Sequence, residues 1–163
     1  MKKIVVILFC FICAVTSLIA QSERYANNSV LNSGDWYKIQ VSQSGIHKLT
    51  YEQLTEMGIA NPSNVSVFGY GGAQLAEAFS QLYIDDLPQL SIYMEKGSDG
   101  VFNAGDYILF YAQGATAWQF GQNGWTHTQN PYSDKGYYFI TDQVHLQRLI
   151  ETDTEVYDSA SQI

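Results

Sequence analysis

The chain has 163 residues, of which 46% are hydrophobic and 15% charged, and its formal net charge is −8. Both of its cysteines, Cys10 and Cys13, lie within residues 1–20, so the remainder cannot form a disulfide scaffold, a thiolate zinc site or a cysteine nucleophile. The acidic composition argues against nucleic acid as a partner, because phosphates require a basic surface, and the length suits one domain with a substantial core.

Residues 1–20 are organised like a secretory signal peptide. Two lysines near the start precede an apolar stretch at 4–15, and Ala20 offers a small residue before a cut at Gln21. An uncleaved membrane anchor is the alternative, since the apolar stretch is about as long as a short membrane-spanning helix. We therefore expect export to the periplasm or the outer-membrane cell surface, with no transmembrane segment left after cleavage.

The exported part divides by composition into three regions. Residues 21–33 are polar and predict a loose leader, residues 34–150 predict one β-rich domain, and residues 151–163 predict a polar tail.

The first elements of the domain are a predicted β-hairpin and one short helix. Residues 36–41 alternate in polarity, a turn cluster follows at 42–45, and an extended segment resumes at 46–49. Thr50 and Gln53 then have the spacing of a capping box, and Gly58 suits the end of a helix. The helix is therefore predicted near residues 51–57.

The rest of the domain predicts further strands separated by polar or glycine-rich turns. Strands are predicted at 65–68, 82–84, 90–95, 107–112 and 137–140, with a long ordered loop or irregular hairpin at 113–136 and either a strand or a helical turn at 144–150. One helix is too few for parallel βαβ crossovers. The fold class is therefore predicted as mainly β, an antiparallel β-sandwich or twisted sheet with one short helix.

Residues of the usual catalytic types do not form a recognisable catalytic pattern. The three histidines, His47, His127 and His145, lack metal-ligand spacing, and the GxSxG motif of serine hydrolases is absent. Asp85 and Asp86 are adjacent, so on a strand they would point to opposite faces and could not act as an acid–base pair. We expect surface or hydrogen-bonded framework histidines, a polar turn at 85–88 and no catalytic residue.

A loop at 97–106 offers the one candidate metal site. Asp99, Asn103 and Asp106 supply oxygen ligands of the kind that calcium accepts, although their spacing does not match an EF-hand. The alternative, which we favour, is a β-turn followed by a side-chain cap that leads into the next strand. Apart from this calcium candidate no cofactor is expected.

An aromatic group interspersed with Gln and Asn lies between residues 118 and 138. Its members are Trp118, Phe120, Trp125, Tyr132, Tyr137 and Tyr138. We expect most of them in the core of a β domain. If they are exposed instead, Trp118, Trp125 and Tyr132 would form an interaction surface for sugars or protein, because aromatic rings bury a large area with little loss of entropy.

Several stretches, in order and spacing, resemble the N-terminal region of the PorU-like sortases of the bacterial type IX secretion system, within the gingipain-like cysteine peptidases. The matching stretches are residues 34–41, 44–50, 61–69, 105–114, 127–133 and 136–139. They are distributed along residues 29–142, and this segment is nearly the whole chain beyond the predicted signal peptide.

The resemblance implies a role as a non-catalytic accessory domain rather than as an enzyme. Members of the family are many hundreds of residues long, and their catalytic His and Cys lie in a downstream peptidase domain that nothing here matches. The family cleaves C-terminal sorting domains from secreted cargo at the outer membrane and attaches the cargo to a surface lipopolysaccharide. Implied partners are the peptidase domain or other type IX secretion proteins. The alternative is an independent secreted module that binds glycan or protein.

Overall fold

The computed structural model describes residues 26–75, 77–78, 84–143 and 146–151. The predicted signal peptide, residues 82–83 of one predicted strand, His145 and the tail from 152 onward lie outside the described residues. The strands are β1 Tyr37–Val41, β2 Gly45–Thr50, β3 Ser66–Phe68, β4 Ile92–Glu95, β5 Tyr107–Ala112, β6 Thr116–Gly121, β7 Gly124–Gln129 and β8 Gly136–Thr141. The helix α1 is Tyr51–Glu56, and two 3-10 turns are Val30–Asn32 and Pro62–Asn64.

The strands form three antiparallel sheets. In the first, β8 is central, with β1 on one side and β3 on the other, so that Ile140 lies opposite both Tyr37 and Val67. In the second, β5 is central between β2 and β4, and Phe110 lies opposite both His47 and Ile92. Strands β6 and β7 form the third sheet, a two-stranded ribbon. The predicted mainly β class is confirmed.

The hairpin expected over residues 36–49 is wrong, because β1 and β2 lie in different sheets. The alternating pattern and the turn residues correctly predict two strands joined by a turn, but neither feature specifies the strand with which each one pairs. The connection crosses between the sheets and is held there by Ser44, whose Oγ accepts a hydrogen bond from the Gly114 backbone N–H at 3.0 Å.

Both three-stranded sheets contribute to one hydrophobic core. Val41, Val67, Tyr138 and Ile140 come from the first sheet, and Ile92, Ile108, Phe110 and Ala112 come from the second. The rings of Phe110 and Tyr138 meet edge to face with centroids 6.2 Å apart. Residues 34–75, 88–143 and 146–151 therefore form a small sandwich-like layer structure.

The helix forms where the capping pattern predicts it. Thr50 Oγ1 accepts from the Gln53 backbone N–H at 3.3 Å, while Gln53 Oε1 accepts from the Thr50 backbone N–H at 3.0 Å. Leu54 is buried in the core, and Gly58 follows the helix with φ of 98°. The capping box and the short helix are thus confirmed, and no described helix has the length and apolar character needed to cross a membrane.

Residues 26–33 belong to a separate compact unit with residues 77–78 and 84–87. Asp86 accepts hydrogen bonds from the Val30 backbone N–H at 2.6 Å and from Ser29 Oγ at 3.0 Å, and Asp85 accepts one from the Ala26 backbone N–H. These residues therefore have specific hydrogen-bond partners more than fifty positions away, and the domain boundaries predicted from the sequence stay a prediction.

The segment that follows β8 is extended rather than helical where it is described. The Ile92 backbone N–H donates to the Arg148 carbonyl at 2.9 Å, and the Ile150 N–H donates to the Ile92 carbonyl at 2.8 Å. Leu149 therefore lies parallel to β4, which supports the strand alternative for this region.

Candidate interaction surface

Strands β6 and β7 bring four aromatic side chains onto one face. Trp118 lies opposite His127 and Phe120 lies opposite Trp125, and alternate residues of a strand point to the same side. The ring centroids are 4.9 Å apart in the first pair and 5.2 Å apart in the second. We call these four side chains the aromatic face.

The aromatic face is open to solvent. Trp118 is 60% exposed, Phe120 71% and Trp125 68%, and Tyr132 beyond the ribbon is 84% exposed. The expectation of a core position is therefore wrong for these residues, although Tyr138 is buried as expected. Alternating apolar and polar residues occur both in a strand with one buried face and in a solvent-exposed ribbon. Whether the apolar face is buried depends on whether a second layer of the fold covers it.

A short turn closes the ribbon at its tip. Gln122 and Asn123 separate the paired Gly121 and Gly124. Gly124 has φ of 91°, while none of the described non-glycine residues has positive φ. The reversal therefore depends on glycine at this position, because a side chain disfavours that backbone conformation.

Hydrogen bonds fix the base of the ribbon to the sandwich. The Asn130 backbone N–H donates to the Ala115 carbonyl at 2.9 Å, and Asn130 Nδ2 donates to the Gly72 carbonyl at 2.8 Å. Ala115 is buried. The end of the ribbon that joins the sandwich is thus fixed in place, and the aromatic rings project from it into solvent.

A polar pocket of about 370 Å³ adjoins this base. It is lined by residues 129–134, which include Gln129, Tyr132 and Asp134. Gln129 lies opposite Thr116 and is the last residue of β7, so the pocket begins where the ribbon ends. Tyr132 belongs to this pocket, and none of the ring contacts among the described residues joins it to Trp118 or Trp125.

The sequence therefore identified Trp118 and Trp125 as companions on one surface but missed the part played by His127. His127 was expected to be a surface or hydrogen-bonded framework residue; it is exposed, and its ring also contacts the Trp118 ring at a tilt of 37°. The signal was the alternation of Trp118 with Phe120 and of Trp125 with His127 around a four-residue turn. His47 fits the framework role, since its Nε2 lies 3.0 Å from the Gln43 carbonyl.

The aromatic face offers uncharged π surfaces and few competing groups. Residues 116–129 contain no Asp, Glu, Lys or Arg. Such faces bind cations, apolar side chains and the C–H groups of sugars. The arrangement suits binding and includes no nucleophile activated by a neighbouring base.

A second apolar surface lies on the outer side of the β2–β5–β4 sheet. Ile46 and Tyr111 are exposed there, and with Tyr93, Leu109 and Ile150 they line a groove of about 410 Å³. The outer face of a two-layer β domain is ordinarily polar. This groove is therefore a second surface suited to covering by protein, and the sequence pattern alone does not reveal it.

The calcium-candidate loop is held together by its own hydrogen bonds. Asp99 accepts from the Val101 backbone N–H at 2.9 Å and from Asn103 Nδ2 at 2.9 Å, and these bonds lower the pKa of Asp99. Asp106 accepts from the Asn103 backbone N–H at 2.8 Å. Within the described residues no three His, Cys, Asp or Glu side chains converge as a metal site. This is the geometry of the capped turn, and calcium stays a prediction.

Comparison with solved structures gives a match to a known secretion protein. PorU from Porphyromonas gingivalis has a crystal structure in a dimeric latent form. Its sequence is 37% identical to this chain, the match covers 80% of this chain, and the TM-score is 0.66. The match spans 11% of the PorU chain. No family model matches, and no curated protein matches. The resemblance to the PorU-like sortases of the type IX secretion system is thus confirmed, in sequence and in fold, for a domain that corresponds to a small part of PorU.

Proposed function

We propose that this chain is a non-catalytic domain of a PorU-like type IX secretion sortase and that it docks onto neighbouring protein through the aromatic face. The observation that carries the proposal is the exposure of Trp118, Phe120 and Trp125 on one side of an anchored ribbon. Contiguous apolar surface of this kind marks protein interfaces, and aromatic residues dominate their binding energy.

The similarity to PorU supports this assignment to a sortase, and the composition supports a non-catalytic role. The chain corresponds to 11% of PorU, so most of a sortase is accounted for by other segments. Beyond residue 20 the chain has no cysteine, and a cysteine peptidase requires a cysteine as its nucleophile. The cleavage and anchoring of cargo therefore belong to the neighbouring peptidase domain in this proposal.

The proposed location is the periplasm or the outer-membrane cell surface. The support is the signal-peptide pattern at residues 1–20 together with the similarity to PorU. Mass spectrometry of the exported protein should find a mature N-terminus at Gln21. A protein retained in the cytoplasm with Met1 intact would contradict this location.

The docking proposal is tested by supplying the domain in trans. A PorU-type sortase is prepared without the segment that this chain matches, and its association with the exported chain is measured by calorimetry. We expect a complex that the Trp118→Ala and Trp125→Ala changes weaken at least about tenfold, since aromatic anchors of an interface each contribute about 2 kcal/mol or more.

Tyr137→Ala is the matched control, because Tyr137 is an exposed aromatic residue on a different sheet and lies in neither the aromatic face nor the apolar groove. If Tyr137→Ala weakens the complex as much as the tryptophan changes do, the aromatic face is not the docking site. If the folded wild-type chain does not bind the shortened sortase at all, the proposed function is wrong.

An independent glycan-binding module is the second candidate, and the solvent-facing tryptophans are the observation that favours it. Sugar rings stack on aromatic faces such as those of Trp118 and Trp125. Titration with neutral polysaccharides should then change tryptophan fluorescence in the wild type and not in the Trp118→Ala, Trp125→Ala double variant. Unchanged fluorescence with every polysaccharide would eliminate this candidate.

A further inference from the structure

The aromatic face and the pocket at its base differ in charge in a way that selects one class of ligand. The ribbon carries no charged residue, whereas the residues that line the pocket include Asp134, whose side chain carries a carboxylate. No hydrogen bond or ion pair made by the described residues uses this exposed carboxylate. Lys135 follows in sequence but does not line the pocket.

The rings attract cations through their negative π faces, and tryptophan does so most strongly. Trp118 and Trp125 expose more than half of their surface to an approaching group. The chain as a whole has a net charge of −8, which raises the local concentration of positively charged partners. The aromatic face, the pocket carboxylate and the overall charge therefore favour the same kind of ligand.

We propose that the aromatic face and its basal pocket bind an arginine-bearing segment of a partner polypeptide. A guanidinium is planar, so it stacks on an indole, and its fork of donors also matches a carboxylate such as that of Asp134. Lysine shares the charge but not the planar group, so it binds more weakly here. This inference rests on the proposed function, since it names the chemistry of the surface onto which the domain docks.

The area of the aromatic face agrees with a peptide segment rather than with a second copy of the chain. Three large rings that are each about two-thirds exposed offer on the order of 400 Å². A stable interface buries about 800 Å² on each partner, so the face alone is too small for an isologous dimer. A short segment that lies along the ribbon is of the right size.

The test measures how the exported chain binds a short acetylated peptide with two arginines, by calorimetry and tryptophan fluorescence. The same peptide with citrulline at both positions removes the charge and keeps the shape. We expect the arginine peptide to bind at least about tenfold more tightly than the citrulline peptide, and the lysine peptide to lie between them.

Variants locate the site. Trp118→Ala and Trp125→Ala should each weaken arginine binding about five- to tenfold, and Asp134→Asn at least about threefold. Tyr111→Ala and Glu56→Gln remove an exposed ring and an exposed carboxylate elsewhere, and each should change the affinity less than about twofold.

Equal binding of the arginine and citrulline peptides would overturn the inference, as would unchanged affinity in both tryptophan variants. Fluorescence that responds to a neutral oligosaccharide and not to the arginine peptide would also overturn it. If the tryptophan variants lose the sortase complex but the wild-type chain does not bind the arginine peptide, only this inference is wrong. If the chain binds the arginine peptide but forms no complex with the sortase, only the proposed function is wrong.

Discussion

Tyr138 stabilises the sandwich both by packing and by hydrogen bonding. Its side chain is buried against Phe110, and its hydroxyl accepts a hydrogen bond from the Gln113 backbone N–H at 2.6 Å. Tyr138→Phe keeps the ring and leaves that N–H without its partner. The free energy of unfolding should fall by about 1–3 kcal/mol, measured by urea denaturation with far-UV circular dichroism. Tyr137→Phe, next to it on the other side of β8, should change it by less than about 0.5 kcal/mol; equal effects would contradict this assignment.

Asp86 controls the attachment of residues 29–30 through its charge. Burial acts to raise its pKa, but hydrogen bonds from the Leu87 and Val30 N–H groups and from Ser29 outweigh burial, so the pKa lies below 3.8. Because the pKa of Asp86 is lower in the folded than in the unfolded chain, its ionised carboxylate stabilises the folded state at any pH above the pKa of the unfolded chain. This stabilisation is lost as the pH falls through the pKa of the folded chain.

The Val30 amide proton should therefore shift in NMR spectra as the pH falls below about 4. Asp86→Asn should abolish this shift. Asp85→Asn is the matched control and should retain it, because the Val30 N–H donates to Asp86. A Val30 titration that persists in Asp86→Asn would show that another group causes it.

At the scale of elements, the turn of the β6–β7 ribbon depends on one glycine. Gly124→Ala forces a side chain into φ of 91° and should cost about 1–2 kcal/mol in local stability, although an added Cβ would meet no atom within 4 Å. Since the ribbon is a separate sheet, we expect loss of the Trp118–His127 ring contacts in NMR spectra without loss of the sandwich.

Gly121→Ala is the control for this change. Gly121 pairs with Gly124 across the turn, its φ is not positive, and an added Cβ there also meets open space. The ribbon should remain formed in Gly121→Ala. If both variants disrupt the ribbon equally, steric strain at Gly124 is not the cause.

Helices and strands that depend on neighbouring residues could be predicted from the sequence, whereas the pairing of one strand with another could not. The capping box of Thr50 and Gln53 lies within four residues, and the helix formed as expected. The strand at 107–112 was predicted to the residue by its apolar run. The pairing of β1 with β8 joins residues about a hundred positions apart, and nothing local to 36–49 encodes it.

The same distinction applies to the candidate site. Alternation of Trp118 with Phe120 and of Trp125 with His127 predicts that the rings share a face. It does not say whether another layer covers that face, since coverage depends on the whole arrangement of sheets. The core expectation failed for this reason.

At the scale of the whole molecule, stability should depend on the sandwich core and not on the ribbon. Trp118→Ala and Trp125→Ala should change the free energy of unfolding by less than about 0.5 kcal/mol, since both side chains are exposed. Phe110→Ala, in the shared core, should lower it by about 3–5 kcal/mol. Urea denaturation followed by circular dichroism measures all three. A large loss in the tryptophan variants would mean that the rings serve folding rather than docking.

The central position of β8 has a consequence for the order in which the chain can fold. Strands β1 and β3, at residues 37–41 and 66–68, both pair with β8, which spans residues 136–141. Contacts between such distant segments form slowly, because a long loop must close first. A chain that crosses a membrane from its N-terminus onward therefore cannot complete its first sheet until residue 141 has emerged. The topology thus leaves β1 and β3 without their shared partner until nearly all of the sandwich sequence has been delivered.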